Sequence, residues 1–367
     1  MANIHISLVG GQTTPVYLGI MDTNPDKVVL VYSDQTIDEA NRISNEIQLD
    51  CELKKFHPVE LKDIEKEIEN IQNELNADDT ISLNIGGGTK PWSILFYDYF
   101  KDLDNSTIFY IDQNNTVWNL KNRTKHEVTF NMDVQFRLYG NPLTKYISFS
   151  DYTDADKKVL QQIRELRQFN YSDFQYITDY LYRFPNETSK KGIGGSIITW
   201  LPLEKTFLCS MKNKKGKELH SRLASDNVRN LLLNTGWFEY EIAKILSDWK
   251  YSKEIRLNCV FPASKGSPKN EIDIIINTGT KLLFIECKTQ INNETDIDKF
   301  ASAVKVYGGL GSKALFITDA EMSDKAREKC NDHGIMNFSL QNNLLGLPVD
   351  KMLFIMLEKE LYNINAK

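Results

Sequence analysis

The sequence predicts a two-domain α/β protein with a connector: an open, doubly wound parallel sheet first, and a mixed α/β sandwich last. Three observations predict it. A chain of 367 residues is long enough for two separate hydrophobic cores. Across residues 1–145, short β-branched runs alternate with helical patterns, as parallel sheets require. From residue 226 a helix leads into three consecutive strands, and helices and strands then alternate to the end of the pattern.

In the first domain the strands are IHISLVG, KVVLVYS, TISLNIG and STIFYID, with helices over 38–47, 61–75 and 91–100. Residues 146–225 change character. DADKKVLQQIRELRQF and DFQYITDYLYRF read as helices, followed by the Gly- and Lys-containing SKKGIGG. This stretch is expected to be a helical connector with a small helical or winged-helix element. In residues 226–367, DNVRNLLLNTGWFEYEIAKILSDW reads as one helix. It precedes strands EIRLNCVFP, NEIDIII and KLLFIEC, helix DIDKFASAVKVYGG, strand KALFITD, helix SDKAREKCNDHG and strand MNFSL.

Composition narrows the function classes. Hydrophobic content of 41% and charged content of 26% are ordinary for a soluble globular chain. No apolar run approaches the roughly 18 residues that span a bilayer, and MANIHISLVGG is no secretory signal. A cytoplasmic protein without membrane attachment is expected. The five cysteines (Cys51, Cys209, Cys259, Cys287, Cys330) never fall in a CxxC spacing, so reduced thiols are expected rather than disulfides or structural zinc. Five scattered histidines argue against a histidine metal site. A net charge of −6 argues against indiscriminate nucleic-acid coating, yet a local basic groove is compatible with it. Lys212, Lys214, Lys215 and Lys217 read either as a solvated loop or as a phosphate-contacting one.

The densest chemistry lies in NEIDIIINTGTKLLFIECKTQ, two apolar strands joined at Asn277, Thr278 and Gly279. Asp273, Glu286 and Lys288 interrupt them, and burying charge is costly without a partner or a metal. Pairing Asn277 with Thr280 sets Asp273 opposite Phe284, with Glu286 one diagonal step away on the same face. Lys288 shares that face and Cys287 takes the other. Asp273 and Glu286 are hard oxygen ligands suited to Mg²⁺ or Mn²⁺, and Ile285 or Cys287 can add a carbonyl. Lys288 can orient or deprotonate a water, or neutralise a phosphate. Upstream, Trp237 and Phe238 would anchor a helix and leave Glu239 facing the metal; Glu241 is its competitor. Metal-dependent phosphodiester hydrolysis fits this set, whereas exposed polar positions on a plain strand pair would explain ExK alone.

Two loops follow strands in the first domain: Gly10-Gly11-Gln12-Thr13-Thr14-Pro15, and Gly86-Gly87-Gly88-Thr89-Lys90-Pro91. Glycines allow close backbone approach, and a following helix N-terminus favours phosphate. Neither the Walker A nor the GxGxxG spacing is present. A tight strand-to-helix turn explains one or two glycines but not GGGTK.

The D…ExK hairpin with its upstream helical Glu resembles the PD-(D/E)xK restriction-endonuclease-like superfamily, with Ile272 where a Pro often stands. Asp273, Glu286 and Lys288 match its core motif, and DKFASAVKVYGGLGSKALFIT is similar to the helix that follows the site, whose Lys299 and Lys305 read first as a solvated helix face and second as phosphate contacts. The GGGTK loop in a Rossmann-like domain resembles a CARF domain, the CRISPR-associated sensor of cyclic oligoadenylates. Together they resemble the type III CRISPR ancillary nucleases. The resemblance implies a CARF sensor over 1–145, a connector over 146–225 and a nuclease over 226–367. It implies a homodimer with the ligand on its two-fold axis, held by Gln12, Thr13, Thr14, Gly87, Gly88, Thr89 and Lys90, with Ser33 and Asp112 at other strand ends. Cyclic tetra-adenylate is the expected activator. Catalysis would fall to Glu239, Asp273, Glu286 and Lys288, with metal on Asp273 and Glu286. The substrate would be single-stranded DNA, RNA or duplex DNA. The alternative is a CARF-type transcription regulator whose middle helices bind DNA without cutting it.

Overall fold

Val- and Ile-rich runs build the N-terminal sheet, and the computed structural model describes it within residues 1–233, 235–263, 270–290, 294–309, 311–341 and 347–364. Its elements are β1 (Asn3–Leu8), α1 (Thr14–Thr23), β2 (Lys27–Tyr32), α2 (Ile37–Ile47), β3 (Asp50–Lys55) and α3 (Leu61–Glu74). They continue with β4 (Thr80–Asn84), α4 (Lys90–Phe100), β5 (Ser106–Ile111), β6 (Thr116–Asn119), β7 (Lys125–Glu127) and α5 (Met132–Leu138). Among the described residues the strand order is β3-β2-β1-β4-β5-β6-β7, parallel through β5 and antiparallel beyond it. The fold is the doubly wound one expected. The strand order reverses between β1 and β4, and in such sheets ligands bind beyond the strand ends at this point.

The middle region departs from a helical connector. It comprises β8 (Lys145–Ser148), α6 (Asp154–Phe169), α7 (Tyr171–Arg183), β9 (Ser189–Lys191), β10 (Ile197–Leu201), β11 (Thr206–Lys212) and β12 (Glu218–Ala224). The last four strands form an antiparallel sheet in the order β12-β11-β10-β9. Thr153 and Asp156 form a reciprocal cap that starts α6. The SKKGIGG segment is the β9–β10 hairpin. The buried Asp173 carboxylate fixes its turn by accepting from the Gly194 and Ser196 amides at 2.8 and 3.1 Å. The lysine-rich stretch is the β11–β12 hairpin, where Asn213 Oδ1 accepts from the Lys215 and Lys217 amides.

The C-terminal unit runs α8 (Val228–Leu233), α9 (Gly236–Ser247), β13 (Glu254–Val260), β14 (Glu271–Asn277), β15 (Leu282–Lys288) and α10 (Thr295–Tyr307). It ends with β16 (Lys313–Thr318), α11 (Asp324–Asp332), β17 (Met336–Ser339) and α12 (Val349–Tyr362). The single helix expected after residue 226 is two, because Thr235 takes a left-handed conformation with φ of 56°. The six-stranded sheet has the order β17-β16-β15-β14-β13-β8. Its outermost strand therefore precedes the middle module, so a boundary between residues 145 and 146 cuts through β8.

One apolar core crosses the seam. Phe109, Phe130, Met132 and Phe136 of the N-terminal unit pack with Phe261, Ile275, Phe284 and Phe300 of the C-terminal sheet and helix. Polar contacts reinforce it: Asn277 Nδ2 donates to the Phe130 carbonyl, and Asn115 Nδ2 donates to that of Thr280. Among the described residues no helix is long and apolar enough to cross a membrane. All five cysteines are free thiols.

Candidate functional site

The C-terminal candidates meet where β14 runs beside β15. Asn277 pairs with Leu282 and Ile274 with Ile285, so the connecting turn is longer than the sequence suggested. Thr278 closes it, donating its amide to the Lys281 carbonyl and accepting the Lys281 amide on Oγ1. Relative to the expected pairing the register moves by two residues, which preserves the face of every side chain. Continued along the strands, it sets Glu286 directly across from Asp273 rather than diagonally.

Glu286 and Asp273 are buried, and Lys288 is partly so. The Cys287 main-chain amide donates to Asp273 Oδ2 at 2.8 Å. Lys288 Nζ donates to Glu286 Oε1 at 2.6 Å and lies 3.9 Å from Asp273 Oδ2. Burial works against the ammonium, but the Asp273 and Glu286 charges outweigh it and hold its pKa well above the usual lysine value. As an ammonium Lys288 can orient water or neutralise phosphate. A proton-accepting role requires those two charges to be compensated first, as a divalent ion would do.

Trp237 and Phe238 are buried and fix α9 against the sheet, and Glu239 beside them is 3% exposed. Burial, followed by Asp273, Glu239 and Glu286, raises the Cys287 thiol pKa well above normal, which puts Glu239 within electrostatic reach of β15. Glu241 points away and pairs with Arg164 of α6. Asp273 and Glu286 supply the hard oxygen donors that would hold a divalent ion. Among the described residues no group of three His, Cys, Asp or Glu side chains could hold one. Main-chain carbonyl, water or phosphate oxygens would complete the shell.

Sequence reasoning missed Asn258. It falls between the Leu257–Ile274 and Cys259–Ile272 pairs of the β13–β14 ladder, level with Asp273 but outside regular pairing, at φ of 52°, where the β8–β13 register shifts. A bulge of this kind re-aims side chains beside a site. The only sequence signal was a lone Asn in the apolar run RLNCVF, a residue type that tolerates left-handed backbone.

In the N-terminal unit the β1 and β4 loops touch backbone to backbone. A Cβ on Gly87 would lie 2.0 Å from the Leu8 carbonyl oxygen, and Gly88 adopts φ of 69°. These glycines are therefore required by the packing of the two loops. Thr89 caps α4 and donates to the Pro58 carbonyl at 2.7 Å. Lys90 is exposed, as is Gln12. Several expected ligand groups are instead engaged within the fold. Thr13 Oγ1 donates to the Leu138 carbonyl, and Thr14 Oγ1 to Gln135 Oε1 at 2.6 Å. Ser33 is buried against Thr36. Asp112 accepts from the Asn114 and Thr116 amides and from Trp118 Nε1, shaping the β5–β6 turn. The exposed groups left at the switch point are the loop backbone, Gln12 and Lys90.

Residues 4–139 match the family model of the Card1 CARF domain, and residues 233–342 match that of a restriction endonuclease. The chain thus carries both domains, and the second implies a divalent-metal requirement. Two solved structures share the fold along nearly the whole length. Can2 from Sulfobacillus thermosulfidooxidans, in complex with cyclic tetra-adenylate, is 18% identical with a TM-score of 0.68, covering 98% of this chain and 99% of that one. Protein VC1899 from Vibrio cholerae is 15% identical with a TM-score of 0.72, covering 98% of each chain. No curated protein sequence matches.

Proposed function

We propose that this chain, a CARF domain of the Card1 type joined to a restriction-endonuclease domain, is a nuclease of type III CRISPR defence activated by a cyclic oligoadenylate. The observation that carries the reading is the buried Asp273–Glu286–Lys288 cluster in the same chain as the glycine-lined loops at the β1/β4 switch point. Cyclic tetra-adenylate is the activator, a choice supported by the ligand held by the Can2 structure. Two copies of the chain clasp it between their β1 and β4 loops, with the Gly87 and Gly88 backbone, Lys90 and Gln12 toward it. Asp273 and Glu286 would hold Mn²⁺ or Mg²⁺, which would activate the water; Lys288 would neutralise the phosphate and Glu239 would support the water.

Activation requires the ligand to bind the cutting-competent state more tightly than the idle one. The test incubates the protein with single-stranded DNA, RNA and duplex DNA, with each metal, with and without cyclic tetra-adenylate. Ligand-dependent cutting that disappears in a Glu286→Ala/Lys288→Ala variant is the expected result. Cutting that survives the double substitution overturns the catalytic assignment; cutting indifferent to ligand overturns the regulatory one.

A further inference from the structure

A cavity of about 580 Å³ lies between α7 and α8 on one side and β8, β13 and β14 on the other, β14 being the strand that carries Asp273. Its size suits one nucleoside, and its lining is mixed in the way of ligand sites. Tyr182 on α7 is 54% exposed and offers a ring face. Arg229 and Lys145 contribute cations at opposite walls. Arg229 is steadied by donating Nη2 to the Pro185 carbonyl at 3.3 Å. Asn258 closes the inner end. It is 7% exposed, and its Nδ2 has no hydrogen-bond partner among the described residues. Leaving a buried donor unsatisfied is costly, and native folds rarely tolerate it without a reason.

We propose that this cavity is a nucleoside subsite that seats one unpaired nucleotide of the substrate beside the scissile phosphate and reads its base through Asn258. The inference rests on the nuclease reading above. Three features make it specific. Asn258 lies between the Leu257–Ile274 and Cys259–Ile272 pairs, the stretch of ladder that also holds Asp273, so a base held there would adjoin the phosphate bound at the carboxylates. A primary amide offers one donor edge and one acceptor edge, the pattern that base edges present. Tyr182 supplies a stacking surface that accepts any base, leaving discrimination to the amide. Asp226 and Glu271, also in the lining, offset the Lys145 and Arg229 charges, so the cavity suits an uncharged nucleoside and leaves the phosphate outside it.

The experiment uses the full chain with Mn²⁺, cyclic tetra-adenylate and a randomised pool of single-stranded oligonucleotides, with the cut ends sequenced. Wild type should prefer one base flanking the cut by about tenfold. Asn258→Gly keeps the left-handed backbone while removing the amide, and should reduce that preference to within about twofold. Tyr182→Ala should raise KM about tenfold without altering the preference. Fluorescence anisotropy with dye-labelled homo-oligomers of each base reads the same subsite without cleavage. A preference that survives Asn258→Gly in either assay, or absence of preference in wild type, overturns the subsite. Base-selective binding lost in Asn258→Gly, in a protein that cuts nothing, supports the subsite and overturns the nuclease reading alone.

Discussion

Asp133 of α5 and Arg256 of β13 form an ionic tie between the N-terminal unit and the C-terminal sheet. The Arg256 guanidinium side chain is 4% exposed and makes a two-pronged contact with Asp133, including Nη2 to Oδ2 at 2.9 Å. It also binds Glu254 at 2.6 Å and lies over the Tyr146 ring at 4.0 Å. Replacing Asp133 with Asn removes one charge and keeps the shape. Two charge-assisted hydrogen bonds would contribute about 3 to 6 kcal/mol if fully buried. Because the Asp133 side chain is 38% exposed, solvent screening reduces the expected loss to about 2 kcal/mol. Arg256→Met should cost a similar amount, and the double variant should cost about 1 kcal/mol less than the sum. Urea unfolding followed by tryptophan fluorescence measures all three. Additivity within about 0.5 kcal/mol would refute the tie. The pH dependence has a definite sign: hydrogen bonding to Arg256 lowers the Asp133 pKa. Its stabilisation is therefore present at neutral pH and fades as pH falls through the folded-state value, so wild type and Asp133→Asn should converge in acid.

Three further outcomes follow from the same physics. Gly87→Ala forces a Cβ to 2.0 Å from the Leu8 carbonyl, and should destabilise the N-terminal domain by about 3 kcal/mol and abolish any thermal shift by cyclic tetra-adenylate. His5 is wholly buried and burial lowers its pKa to about 3, so the unfolded chain binds a proton that the fold refuses. Stability should fall by about 2.5 kcal/mol from pH 7 to 4.5, and His5→Gln should flatten that slope in urea titrations at each pH. Lys288→Met should slow cleavage about 10² to 10³-fold, and EDTA should stop cleavage outright in the same gel assay.

Strong periodicity and charge in apolar context were legible in the sequence. Three helices of the first domain lie within a residue of their expected ends, because Ile43, Ile64, Ile68 and Phe96 mark buried faces at helical spacing. Asp273, Glu286 and Lys288 stood out because charge inside apolar strands demands compensation. Glu239 was separable from Glu241 through its aromatic neighbours. Strand β3 escaped notice because its side chains are only partly covered, and an edge strand carries little hydrophobic signal. The β9–β12 sheet was hidden by glycines and lysines that read as loop until Asp173 is seen anchoring the turn. Thr13, Thr14, Ser33 and Asp112 lay at the expected strand ends, yet local sequence does not reveal that α5 or a neighbouring turn engages their polar groups. Asn258 depended on a bulge, and a bulge arises from how two strands pair rather than from any short motif.

The position of β8 has a consequence for how the chain assembles. Ser148 pairs with Arg256, more than a hundred residues later, so the outer strand of the nuclease sheet is synthesised long before its neighbour exists. Contacts of such sequence separation are slow to form, because the loop-closure entropy must be met first. Folding of α6 through β12 in the interval shortens the effective loop and holds the two ends near one another. Deleting α6 through β12, even with a linker of matched span, should leave β13 with an unpaired edge open to other chains.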